Sequence, residues 1–87
     1  MKIKSGYFMR EVAGNYIVVP LGATALDFNG LITLNETGAF LWKQLTDEKT
    51  EKELLGAILN EYDTDETTAR ADAKAFLVKL KAADLLE

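Results

Sequence analysis

Cysteine and histidine are absent from the 87 residues, and serine and proline occur once each, as Ser5 and Pro20. Without a thiolate or an imidazole there is no cysteine- or histidine-based metal site, no disulfide framework, and no Cys-His or Ser-His-Asp nucleophile. Ser5 lies close to a terminus that is expected to fray. Long apolar runs are missing as well. The longest are strand-length, such as Tyr16–Pro20, far short of a bilayer span. The basic start Met1-Lys2-Ile3-Lys4 has no apolar stretch behind it, so no signal peptide is expected and a cytoplasmic protein is the default. Positive charge is also short: ten Lys and Arg stand against fourteen Asp and Glu, a net charge of −4. Counterion release rewards proteins that present many cations to phosphates, so this balance argues against nucleic acid and against an anionic membrane surface. The deficit is uneven. Lys2, Lys4 and Arg10 against Glu11 and Asp27 leave residues 1–35 at +1, so residues 36–87 carry −5.

What is present is an ordinary globular composition, 48% hydrophobic and 28% charged. The length suits one domain over residues 1–87, with a thin core, since a chain of this size buries only about 60% of its unfolded surface. Tyr7–Ala13 and Tyr16–Leu21 are rich in aromatic and β-branched residues, and Gly14-Asn15 between them reads as a hairpin turn. Pro20 marks a strand end or edge, because it cannot donate to a ladder. Asn29-Gly30 then joins Ala25–Phe28, an additional short strand, to Leu31–Leu34, which is a second hairpin signal.

After Leu34 the apolar period lengthens from about two to about 3.6, and helices are predicted. Asn35 is placed to cap a helix over Glu36–Leu45, with Leu41, Trp42 and Leu45 on one side. Thr50-Glu51-Lys52-Glu53 is a capping box ahead of the stripe Leu54, Leu55, Ile58, Leu59 and Tyr62. Thr64 or Asp65 caps a last helix that ends near Ala83 and turns Ala69, Ala73, Phe76, Leu77 and Leu80 inward. The expected class is α+β: an N-terminal antiparallel three-stranded sheet, with the additional short strand, followed by a three-helix bundle in a winged helix-turn-helix-like order.

Two features on this frame are candidate binding surfaces. Arg70, Lys74, Leu77 and Lys81 form a cationic stripe with one apolar member, bordering the inward face of the last helix. Charged helix faces are the norm, so a solvated surface is the plain reading of the stripe. The other feature is the sheet edge at Leu31, Ile32, Thr33 and Leu34, which has little charge to protect it and unpaired backbone groups to offer an extended peptide. The side chains of Ile32 and Leu34 are assigned to the core, while the backbone edge stays open. Asp63-Thr64-Asp65-Glu66 lacks the glycine and the terminal glutamate of a calcium loop and reads as helix capping. No catalytic constellation is found, and no cofactor or metal is expected. A winged-helix transcriptional or nucleic-acid module remains an alternative reading of the order, opposed by the Glu51, Glu53 and Glu61 that the second helix would present to DNA. A scaffold that meets a protein partner through this acidic face is another.

The segment Phe28-Asn29-Gly30-Leu31-Ile32-Thr33-Leu34-Asn35-Glu36-Thr37-Gly38-Ala39-Phe40-Leu41-Trp42 resembles the central motif of PqqD-like proteins, in which a strand ending in Leu-Asn leads into a helix with a small residue and then a Leu-Trp pair. Thr50–Ile58 and Asp72–Leu85 resemble the second and third helices of that family, so the likeness covers about residues 7–87. It implies a non-catalytic peptide-binding module, the RiPP recognition element, which binds the leader of a ribosomally made precursor peptide and presents it to a modifying enzyme, often of the radical-SAM type. In the founding member this serves synthesis of pyrroloquinoline quinone. The leader there adds to the third strand and runs along the third helix. Carried onto this chain, the peptide-binding positions are Leu31, Ile32, Thr33 and Leu34 with Arg70, Lys74, Leu77 and Lys81. The implied partners are a precursor peptide and a peptide-modifying enzyme, with the chain itself a monomer or weak homodimer.

Overall fold

A computed structural model describes residues 1–21 and 32–87. Among them run three strands, β1 (Tyr7–Val12), β2 (Asn15–Pro20) and β3 (Ile32–Leu34), and three helices, α1 (Glu36–Gln44), α2 (Glu51–Glu61) and α3 (Glu66–Ala82). This is the α+β order read from the sequence. The expected short strand Ala25–Phe28, the Asn29-Gly30 turn and Leu31 lie outside the described residues.

The strands form an antiparallel sheet in the order β1-β2-β3. The β1–β2 turn differs by one residue from the expected Gly14-Asn15. Val12 pairs with Asn15, so the two loop residues are Ala13 and Gly14, with φ of 52° and 83°. Positive φ at both loop positions is what lets a two-residue turn follow the twist of its strands. Gly14 takes the second of these positions, and Asn15 is left to open β2. Side chains alternate across the sheet. Val18 and Leu34 are buried on the inner face, with Met9, Tyr16 and Ile32 partly buried against the same core. Phe8 and Val12 stay exposed on the outer face.

Each helix begins on a side-chain cap. The Gly38 N–H donates to Asn35 Oδ1 at 2.7 Å, and the Thr68 N–H donates to Asp65 Oδ1 at 2.7 Å. At α2 the capping box is closed from both sides: the Glu53 N–H donates to Thr50 Oγ1 and the Thr50 N–H to Glu53 Oε1. A buried Cβ at position 38 would lie 3.3 Å from the Leu34 Cβ, so the glycine there lets α1 start hard against β3. The helix stripes meet with Leu41, Trp42, Leu54, Ile58, Ala69, Ala73, Phe76, Leu77 and Leu80 buried together; of the stripe expected on α2, Leu55 and Tyr62 are partly buried and Leu59 is exposed, because it lies at the edge of the apolar face.

The N-terminus is tied into the fold. Ile3 is buried, donates its N–H to the Leu45 carbonyl, and bridges Leu86, while the Lys4 N–H donates to Leu85 O. An apolar side chain flanked by two satisfied amides is enough to anchor a segment that its position in the chain marks as loose.

Candidate functional site

Two backbone groups on β3 are turned away from the sheet, and the register identifies them. The Leu21 N–H donates to Gly6 O at 2.7 Å just beyond the strand ends. Hydrogen-bonded pairs recur at every second residue of an antiparallel ladder, so Arg10–Ile17 is such a pair, and Ile17 commits its N–H and C=O to β1. Across the other ladder Ile17 faces Thr33. That pair is therefore non-hydrogen-bonded, and Thr33 directs its own N–H and C=O to the side of β3 away from β2.

The Thr33 carbonyl is met there by α3: Lys79 Nζ donates to it at 3.0 Å. Strand and helix thereby frame a groove of about 680 Å³, within the range of ligand-binding clefts. Its strand wall is Thr33 and Leu34, its end is the start of α1 at Asn35, Thr37 and Gly38, and its helix wall is Asp72, Ala75, Phe76 and Lys79. Leu41 and Phe76 supply an apolar floor beneath the polar rim. Asp72 and Lys79 are seven residues apart, about 10 Å along the helix at 1.5 Å per residue, so the helix wall carries a carboxylate at one end and an ammonium at the other.

The sequence-predicted residues fall into two sets. Ile32, Thr33 and Leu34 form the strand beside the groove, with Ile32 partly buried, Leu34 in the core and Thr33 exposed; Leu31 lies outside the described residues. The stripe on α3 is elsewhere. At 100° per residue, Arg70, Lys74, Leu77 and Lys81 centre roughly 180° from Asp72, Ala75, Phe76 and Lys79, with the core face between them. Leu77 is only 4% exposed and belongs to the core. Arg70 is tied to Glu66, with Nη2 to Oε1 at 2.6 Å, and shares with Lys74 a shallow depression on the far flank of the helix. Lys81 is exposed on the same flank. The helix wall of the groove was nevertheless present in the sequence, since Asp72, Ala75, Phe76 and Lys79 have the i, i+3, i+4, i+7 spacing of a single face. Two flanks border the core face of α3, and periodicity alone does not tell which of them meets the sheet.

Among the described residues no polar or charged side chain is buried, and no group of three or more Asp or Glu is placed to hold a metal ion. Two carboxylates at helix caps are shifted. Glu53 is lowered chiefly by the Thr50 backbone N–H, and Asp65 by that of Thr68. Burial beside Phe40 raises the Tyr62 phenol, with Glu36 adding to the shift. The arrangement is equipped to bind an extended chain along a strand edge, with one cation at the edge and an apolar floor below it.

A family profile described as coenzyme PQQ synthesis protein D (PqqD) matches residues 16–86. The chain is similar to a solved structure described as TbiB1 in complex with the TbiA(beta) leader peptide, at 26% identity and a TM-score of 0.75, covering 100% of this chain and 95% of that one. It shares its fold with lasso peptide synthetase B1 complexed with the leader peptide, at 17% identity and a TM-score of 0.68 over 93% and 89% of the two chains. No curated protein matches it. The profile begins after β1, the strand that contributes no buried side chain.

Proposed function

We propose, from the premise that this chain belongs to the PqqD family, that it is a peptide-binding adaptor which takes up the leader of a ribosomally made precursor and presents it to a peptide-modifying enzyme, of the radical-SAM or another class. The leader adds as a strand along Ile32–Leu34 and lies against Asp72, Ala75, Phe76 and Lys79. Residues 1–87 act as one binding unit in this reading. The role sets the protein in the cytoplasm, where ribosomally made peptides first appear. The adaptor is non-catalytic, a view supported by a sequence without histidine or cysteine. The observation that carries the proposal is the outer edge of β3, paired with no other described strand, where Thr33 turns both backbone groups toward a groove with an apolar floor. Main-chain hydrogen bonds would supply affinity there, and the groove would read alternate side chains. The apolar floor at Phe76 would take an apolar side chain of the leader. The leader peptide bound by the similar TbiB1 supports the same class of ligand.

An NMR titration of the labelled protein with leader peptides encoded beside its own gene tests this. Amide shifts concentrated at Ile32–Leu34 and Asp72–Lys79 are the expected result. Shifts along Tyr7–Val12 instead would move the site to the opposite sheet edge, and no shifts with any neighbouring peptide would sink the adaptor reading.

A further inference from the structure

Lys79 stands where an incoming strand has to bond. Its ammonium donates to the outward carbonyl of Thr33 at 3.0 Å, the acceptor an added strand would use for its own N–H. Among the described residues Lys79 forms no salt bridge, although Asp72 lines the same groove. The contact is long-range, between residues 46 apart in sequence, and is the one hydrogen bond described between a side chain of α3 and the sheet. We infer that Lys79 is the specificity-determining residue of the groove, a cation parked on the edge of β3 that transfers to a carboxylate of the incoming peptide and so selects acidic peptides. The inference rests on the adaptor reading and names the chemistry of the ligand.

The exchange accounts for the selectivity. With an acidic residue next to Thr33, the ammonium trades a neutral carbonyl for a charged partner, and charge-assisted bonds are the stronger class. Thr33 O is then released to the ladder. With a neutral peptide, Lys79 either keeps the carbonyl and weakens the ladder at that rung, or gives it up and is covered without a partner, which costs the desolvation of the charge. The position of Asp72 adds a direction. An acidic side chain is accepted at the Lys79 end of the helix wall and repelled at the Asp72 end, with Phe76 taking an apolar residue between them. The net charge of −4 opposes acidic ligands at long range, so this preference arises at contact distance and not through steering.

Selection of a phage-displayed library of random peptides on the wild-type chain and on Lys79→Met, which keeps an apolar stem and removes the charge, tests the inference. The wild-type pool is expected to concentrate Asp and Glu at one position of a shared motif, and the Lys79→Met pool to lose that preference. For one selected peptide made with Glu or Gln at that position, the change should weaken wild-type binding about tenfold and Lys79→Met binding by no more than about twofold, the worth of one charge-assisted bond. Lys79→Arg, which keeps the charge, should restore the preference. Acidic enrichment that is equal on wild type and Lys79→Met would overturn the inference while leaving the adaptor standing. Failure of either protein to enrich any peptide, with thermal unfolding showing both folded, would overturn the adaptor reading and the inference with it.

Discussion

Ala13 and Asp84 are the two non-glycine residues among those described that adopt the left-handed region, at φ of 52° and 57°. Their situations differ. Asp84 follows the last turn of α3, where the Leu85 N–H reaches back to Leu80 O and the Asp84 N–H to Lys81 O. That is the Schellman pattern, in which the hydrogen bonds and the packing of Leu85 on Leu80, both fully buried, hold the strained residue in place. Its carboxylate also reaches Lys4 Nζ at 3.0 Å. Ala13 has no such support and is exposed at the tip of the β1–β2 hairpin. A short polar side chain tolerates this region better than alanine does, and Asn before Gly is the pair such turns favour. Ala13→Asn should therefore raise stability by about 0.5–1 kcal/mol, read as a higher urea midpoint at unchanged slope. Gly14→Ala should lower it by about 1 kcal/mol, through backbone strain and not crowding, because a Cβ at Gly14 would meet nothing within 4 Å. A midpoint unmoved by Ala13→Asn would mean that the loop relaxes out of this geometry in solution.

The helices share one method of starting but not one chemistry, and acid should separate them. α1 is capped by the amide side chain of Asn35, which does not titrate, whereas α2 and α3 rely on the carboxylates of Glu53 and Asp65. Both carboxylates are held below their ordinary values by backbone N–H donors. A group whose pKa is depressed by folding contributes stability above its unfolded value, and that contribution disappears as pH falls through the folded one. Acidification from neutral pH through the carboxylate range should thus loosen the first turns of α2 and α3 and leave that of α1 intact. Amide exchange at Thr50 and Thr68 should accelerate, relative to Gly38, once intrinsic rates are corrected for pH. Asp65→Asn, which keeps a capping oxygen, should remove the acid response at Thr68 alone; an identical response in that variant would assign the loosening to net charge and not to the cap. These start signals were the most legible part of the sequence. A cap is a local arrangement, set by three or four consecutive residues, and Asn35, Thr50 and Asp65 stand where their neighbours announce a helix. The helix wall of the groove was not legible in the same way, because Lys74 and Lys79 are equivalent until the side of α3 that meets β3 is known.

At the scale of the whole molecule the core is mainly helical. The sheet buries Val18 and Leu34, while β1 contributes no buried side chain and rests on β2. The sheet is therefore a thin platform, and its short strand β3 is both the edge proposed to take a peptide and a wall of the core. An added strand would lengthen the ladder where the sheet is weakest, so ligand binding should also stabilise the fold by mass action. At the far side the two chain ends close the helical core: Ile3 bridges Leu86, the Glu87 N–H donates to Lys2 O, and the Lys49 N–H to Met1 O. Nothing local in Met1-Lys2-Ile3-Lys4 signals this, because the partners of Ile3 lie more than forty residues away and only the tertiary fold brings them together. If the clasp belongs to the cooperative core, Ile3→Ala should cost about 2 kcal/mol of global stability, the low end of the range for truncating a buried isoleucine. The amides of Ile3 and Lys4 should then exchange only through global unfolding in the wild-type chain. Fast exchange at both, with a urea midpoint unchanged by Ile3→Ala, would show instead that the ends fray independently and that α1, α2 and α3 hold together without them.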